Sequence, residues 1–174
     1  KIKTILRNYN LLNNKHIPDI YKMNSRENRM KLLAGLIDSD GYYRCKGYEI
    51  IQKNKTLSED IVYLTRSLGF ACHIKEVSKS CMYKGEKKEG TYQRITFFGD
   101  RTEDIPVLCK RKIGEKRLIN KQATHYFFNV ECEGMGNYYG FTLDGNHKFL
   151  LGNFLVTHNT LPAEFAIQYF KSLG

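Results

Sequence analysis

The stretch Arg29–Arg44, "RMKLLAGLIDSDGYYR", decides the fold. An uncharged run, Leu32 to Ile37, stops abruptly on two carboxylates and a glycine. A core helix would bury such a run and end on something neutral. Asp38 and Asp40 sit instead at the exit of the apolar segment, where a charge is hardest to solvate. The expectation is that a metal ion, a cation or a partner surface compensates Asp40. Ser25 reads as the N-cap of a helix through "RENRMKLLAGLIDS", and Gly41 as its end. Gly35 inside that helix costs about 1 kcal/mol against Ala, which is best explained by another backbone packing very close.

Outward from this helix, "GYYRCKGYEIIQK" reads as a hairpin with its turn near "CKG". "TLSEDIVYLTRSLG" reads as a second helix, with Leu57, Ile61, Leu64 and Leu68 on one face and Gly69 closing it. "FACHIKEVSKSCMYK" and "TYQRITFFG" read as strands around a charged turn, "GEKKEG". "TEDIPVLCKRK" reads as a short helix that Pro106 delays or bends. The fold class is therefore α+β, an αββαββα half-saddle: a twisted sheet with helices on one face. Strand alternation lines its open face with Arg44, Lys46, Tyr48, Gln52, Lys75, Lys79, Gln93 and Arg94. Such a ribbon fits the major groove and reads base edges with Arg, Lys and Gln. The alternative for any one of these residues is a solvated strand face.

The totals agree with a polyanionic partner. The 174 residues hold 28 Lys and Arg against 18 Asp and Glu, a net charge of +10, which favours nucleic acid over membrane. No window reaches the length of a transmembrane helix. The opening "KIKTILRNYN" has no start Met and no signal-peptide pattern, and reads as an interior segment of a longer precursor. Five cysteines, Cys45, Cys72, Cys81, Cys109 and Cys132, have no C-x-x-C spacing; they read as reduced thiols of an intracellular, non-secreted protein rather than zinc ligands.

"LLAGLIDSDG" resembles the motif of the LAGLIDADG homing endonucleases, with Ser39 in place of the usual Ala. The resemblance implies that two such helices pack through Gly and Ala, accounting for Ala34 and Gly35. It implies that Asp40 is catalytic and binds Mg²⁺ at the scissile phosphates of double-stranded DNA. A hard cation with oxygen ligands and several waters suits that role. Asp38 is expected to cap or bond locally. One motif supplies half a site, so the chain dimerises or its partner half lies upstream. "NNKHIPDIY" favours the second, because it resembles the K-x-I-P block between the motifs of double-motif members. By that resemblance Lys15 is a catalytic lysine of the preceding half. Its counterpart falls in "CKRKIGEKR": Lys116 is preferred, with Lys112 and Arg117 close behind, and Lys112 and Arg117 are also expected on DNA. A solvated or phosphate-contacting loop is the alternative for this run.

After about Lys121 the texture changes to short strands and turns, "HYFFNVECEG", "NYYGFTLDGNHKFLL" and "NFLVTHN", with a hairpin signal at Asp144-Gly145. "LDGNHKFLLGNFLVTHNT" resembles the C-terminal splicing blocks of inteins. By that resemblance His147 and His158 assist, Asn159 cyclises to a succinimide and cuts the bond before Thr160, and Thr160 is the first residue of the host extein. An amide is a poor nucleophile, so position and proton transfer must help it. Tyr139-Gly140 departs from the usual Tyr-Asp and removes one acid. Splicing then requires an N-terminal intein half from the same precursor or a split partner.

The resulting organisation is residues 1–24 as the end of a preceding endonuclease half and linker, 25–122 as an endonuclease subdomain, 123–159 as the C-terminal β part of a Hint splicing domain, and 160–174 as extein. The extein "TLPAEFAIQYFKSLG" reads as a helix, and its opening Thr fits the end of a P-loop whose Gly-Lys lies upstream. A free-standing homing endonuclease leaves "THNT" unexplained. A maturase-like nucleic-acid-binding module without catalysis leaves Asp40 unexplained. A secreted Hedgehog-type self-processing domain is opposed by the motif helix and the cysteines.

Overall fold

Helices α1 (Ile2–Asn8), α2 (Asp19–Lys22) and α3 (Arg26–Asp40) come first in a computed structural model that describes residues 2–83, 85–116, 131, 134–137 and 141–158. The chain divides into two compact units, Lys1–Phe127 and Phe128–Gly174. In the first, Ser25 caps α3 as expected, its side chain accepting from the Asn28 N–H. Strands β1 (Gly41–Arg44) and β2 (Gly47–Gln52) follow, then α4 (Lys55–Ser67), β3 (Ala71–Tyr83) and β4 (Glu86–Phe98). The sheet is antiparallel throughout, in the order β1-β2-β4-β3.

One face of this sheet carries the helices. Leu33 and Ile37 of α3, Ile61 and Leu64 of α4, Ile50 of β2, and Ile95 and Phe97 of β4 are almost fully buried together. Each such side chain stabilises the fold by about 1.5–3 kcal/mol relative to exposure. The predicted face of α4 is present: Ile61, Leu64 and Leu68 are buried and Leu57 is partly so. Asn54 caps its start, and Gly69, at φ +91°, leaves its end in the left-handed region that glycine tolerates best.

The segment before α3 is fastened to this core. Ile17 is buried, its N–H donates to Asp60 Oδ2 of α4 at 2.8 Å, and Lys22 Nζ meets Asp60 Oδ1 at 2.6 Å.

Several expectations are corrected. The charged turn is shorter than "GEKKEG", because β4 already begins at Glu86 and Glu86–Gly90 pair with Lys79–Tyr83. No helix follows β4 among the described residues; Thr102–Asp104 and Lys110–Lys112 are single 3₁₀ turns. Pro106 favours an extended Ile105, observed at ψ 119°, and the Leu108 and Cys109 N–H groups bond to Asp38 rather than to a helix. The described part of the half-saddle is thus αββαββ. Gly35 has open space where a side chain would stand, so no backbone of this unit packs close to it, and Ala34 is buried in the unit's own core.

Alternation is also corrected on the sheet. The hairpin turn is Cys45-Lys46, both left-handed at φ 51° and 57°, and the register pairs Arg44 with Gly47. Partners in this register have opposite parity, so the even-numbered Tyr48 and Gln52 face opposite to Arg44. Tyr48 joins the core. Gln93, paired with Gln52 and Glu76, lies on the helix-side face too.

In the second unit, β5 (Lys148–Leu150) and β6 (Val156–His158) pair antiparallel. The Asp144-Gly145 turn precedes this hairpin instead of forming it; the connection is 151–155, with the Leu151 N–H donating to Leu155 O at 2.8 Å. The helix expected over 160–174, and the strands expected around "HYFFNV" and at Tyr138–Gly140, lie outside the described residues. Among the described residues no helix is long and apolar enough to cross a membrane.

Candidate functional site

The C-terminal end of α3 gathers the chemistry. Four successive carbonyls at a helix end lack intrahelical donors and carry partial negative charge. Two aspartates there add to it. Lys112 answers this: it is buried, and its Nζ donates to Ile37 O at 2.8 Å and Asp38 O at 2.9 Å. The placement corrects the expectation of Lys112 on DNA, because its ammonium is turned inward.

Asp38 is engaged at long range rather than locally. Its Oδ2 accepts from the Leu108 N–H at 3.0 Å and its Oδ1 from the Cys109 N–H at 2.9 Å. These two backbone donors, with a smaller contribution from Lys112, hold its carboxyl below the usual aspartate range. The loop that carries Lys112 is fixed from the sheet side as well. Tyr48 Oη donates to Lys112 O at 2.9 Å, and Tyr43 Oη accepts from the Glu115 N–H at 2.9 Å. Burial above all pushes the Tyr48 hydroxyl up to about 12, so it stays a donor. At Gly114 a Cβ would stand 2.8 Å from Thr102 O and 2.9 Å from Tyr48 Oη, so the loop packs too closely for a side chain.

Asp40 is exposed, which corrects the picture of a charge trapped at the edge of the core. Gln52 Nε2 donates to its Oδ2 at 3.0 Å, so Gln52 belongs to the acidic helix end and not to the open sheet face. Asp40 opens on a cleft of about 380 Å³ lined also by Ser39, Gly41, Tyr42, Tyr43, Arg111 and Lys112. Gly41 allows the chain to leave the helix straight into β1: its φ is −81°, but a Cβ would lie 2.7 Å from Ile37 Cα. Close approach, not a left-handed backbone, requires the glycine.

The other sequence-predicted residues divide. Arg44, Lys75 and Arg94 share the open face, with Lys75 directly across from Arg94. Two cations opposite each other repel. Arg94 Nε also lies 3.4 Å from Glu49 Oε2, an ion pair without hydrogen-bond geometry. Lys79 shares this face on β3, and Lys46 sits in the turn. Lys116 and Lys15 are exposed, the latter two residues before the buried Ile17. His147 is exposed and left-handed at φ 54°, and the next residue, Lys148, pairs with His158. Arg117, Asn159 and Thr160 lie outside the described residues.

A family model described as homing endonuclease matches residues 16–117, more than half of the chain and all of the acidic helix end. The chain belongs to the homing endonuclease family. It is 30% identical over 154 residues to the homothallic switching endonuclease of Saccharomyces cerevisiae, an alignment covering 80% of this chain and 26% of that protein. It is 41% identical over 174 residues to the replicative DNA helicase DnaB of Mycobacterium intracellulare, covering 92% of this chain and 28% of that one. The chain spans about a quarter of the length of these relatives. Within this family member the matched region holds Asp40, Lys112 and the open-face cations, while Lys15, His147 and His158 fall outside it.

Sequence reading missed the inward turn of Lys112, the Asp38 clamp on residues 108–109 and the place of Arg111 beside Asp40. The run of basic residues showed their charge, but which of them would turn inward depends on contacts made more than 60 residues away.

Proposed function

We propose that the chain is the second half of a LAGLIDADG-type homing endonuclease carried within an intein, and that it cuts double-stranded DNA at one strand. The observation that carries the reading is the exposed Asp40 carboxylate, at the end of the "LLAGLIDSDG" helix, opening on a cleft beside Arg111. Asp38 is occupied by two N–H donors, and among the described residues no cluster of three or more His, Cys, Asp or Glu side chains converges. One exposed carboxylate suits Mg²⁺, which binds through one or two carboxylates together with phosphates and water. When bound, the ion would activate water and stabilise the leaving oxygen. Asp40 would hold it, Gln52 would orient that carboxylate, and Arg111 and Lys116 would face the negative charge of the scissile phosphate.

The open face would lie on the DNA. Lys75 and Arg94 face each other where β4 also pairs with β2, and the β3–β4 ribbon continues two-stranded beyond them, carrying Lys79 on the same face. Phosphates relieve the repulsion between Lys75 and Arg94, while Arg side chains supply base contacts in the major groove. The experiment is Asp40→Asn in the full-length protein. Cleavage of at least one strand should be abolished while DNA binding is retained; both strands cut at the wild-type rate would sink the assignment.

The second unit supports self-processing. The β5–β6 register sets His158 across from the residue that follows His147. Similarity to a protein named as a helicase, through a chain of the endonuclease family, fits an insertion within a host protein. Asn159 would cyclise, His147 and His158 would move protons, and Thr160 would accept the upstream extein. Asn159→Ala should stop release of the "TLPAEFAIQYFKSLG" segment, and His158→Ala should slow it by about 10²–10⁴-fold. Thr160→Ala should spare cleavage but prevent ligation. Mass spectrometry of the precursor reads all three, and release of the segment from the Asn159→Ala protein refutes this part.

A further inference from the structure

We propose that Lys112 is a positioning residue: by bonding the last carbonyls of α3 it fixes where Asp40 stands, and it does so without touching DNA. The inference rests on the reading of Asp40 as the reactive carboxylate and goes beyond it to the group that places it.

A helix end normally frays, because its last carbonyls lack donors. An aspartate at that end works against the helix dipole. Asp40 therefore occupies a place where the backbone has most reason to move. Here Ile37 O accepts twice, from the Gly41 N–H that closes the helix and from Lys112 Nζ at 2.8 Å. Asp38 O accepts from the same ammonium at 2.9 Å. One buried cation thus bridges two successive carbonyls two and three residues before Asp40.

The ammonium is itself held in place. Its own carbonyl receives the Tyr48 hydroxyl, and its loop is gripped by the Asp38 carboxylate through Leu108 and Cys109. Grip runs in both directions between the same two segments: the helix end holds the loop by a carboxylate, and the loop holds the helix end by an ammonium. A lysine meant for phosphate would leave its head group in solvent, as the exposed side chains of Lys110 and Arg111 just before it do. Lys112 instead gives its donors to the backbone. Its positive charge also offsets the negative end of the helix dipole next to Asp40.

The test uses the full-length protein with Lys112→Met, which keeps the length of the side chain and removes the donors. Amide hydrogen exchange without DNA reads the helix end directly, and turnover per folded molecule reads the chemistry. The expectation is faster exchange at Gly41 with core amides unchanged, DNA affinity in metal-free buffer within about two-fold of wild type, and kcat lower by about 10²-fold, the scale of an ångström-sized misplacement. A phosphate contact would instead lower affinity in step with turnover, and that result, or an unchanged kcat, overturns the proposal. If the Met variant does not fold, Lys112→Arg decides. It keeps charge and donors but shifts the helix end, so Gly41 exchange should change and kcat should fall with affinity retained. Changed exchange with unchanged kcat would overturn the coupling. A wild-type protein that cuts no DNA tells against the endonuclease reading, whereas unchanged Gly41 exchange in Lys112→Met tells against the Lys112 cap alone.

Discussion

The Asp38 carboxylate meets the backbone N–H of Cys109 at 2.9 Å across 71 residues of chain. It ties the end of α3 to the loop after the sheet, and it makes that tie sensitive to acid. The folded carboxyl lies below its ordinary value, chiefly through the Leu108 and Cys109 donors. A depressed folded value means that the unfolded chain binds the proton first. The stabilisation is therefore full above the unfolded value of about 3.9 and is lost as pH falls through the folded one. Urea unfolding between pH 6 and strongly acid solution should show this loss in the wild type and a flatter profile in Asp38→Asn. Identical profiles would remove Asp38 from the acid response.

Asp60 makes the linker part of the first unit. Asp60→Ala leaves the buried Ile17 N–H without its acceptor and the Lys22 ammonium with the exposed Asp19 carboxylate, 3.0 Å away, in place of two. Stability should fall by about 1–3 kcal/mol, the cost of an unsatisfied buried donor. Lys22 is raised above its ordinary value, first by its bond to Asp60. Its contribution is present below the unfolded lysine value of about 10.4 and lost as pH rises through the folded one. Chemical denaturation at neutral and strongly alkaline pH checks both statements.

Two glycines of one motif should respond in opposite directions. Gly35→Ala places a methyl in open space within a helix and should stabilise this unit by about 0.5–1 kcal/mol. Gly41→Ala drives a Cβ to 2.7 Å from Ile37 Cα, which is backbone and cannot swing aside, and should cost about 1–3 kcal/mol. Thermal unfolding of both variants distinguishes them. If Gly35 also packs against a second motif helix, as the resemblance implies, Gly35→Ala should lower DNA cleavage while raising this unit's stability.

On the proposed reading, the cross-strand partners Lys75 and Arg94 contact phosphate. Replacing both with Ala should flatten the log-log salt dependence of DNA binding by about one to two, near 0.9 for each lost contact. Replacing Lys112 should leave that slope unchanged. An unaltered slope in the Lys75→Ala, Arg94→Ala protein would mean that this face points away from DNA.

The sequence by itself determined the elements whose signals are local. Ser25 and Asn54 cap helices through a bond to a backbone three residues away, and the face of α4 repeats within one helix. The acidic motif was legible for the same reason, being contiguous. The tertiary structure alone decided which way the side chains turn. A two-residue hairpin loop reversed the parity of β2, so Tyr48 and Gln52 left the face that alternation had given them. Lys112 is chemically the same as the lysines around it, and only the carbonyls of Ile37 and Asp38 at the helix end, brought to it by folding, drew it inward. The expected helix after β4 failed likewise: Asp38 offered its N–H groups a better acceptor from far along the chain. Burial and long-range hydrogen bonds depend on neighbours distant in sequence, and no local pattern of residues encodes them.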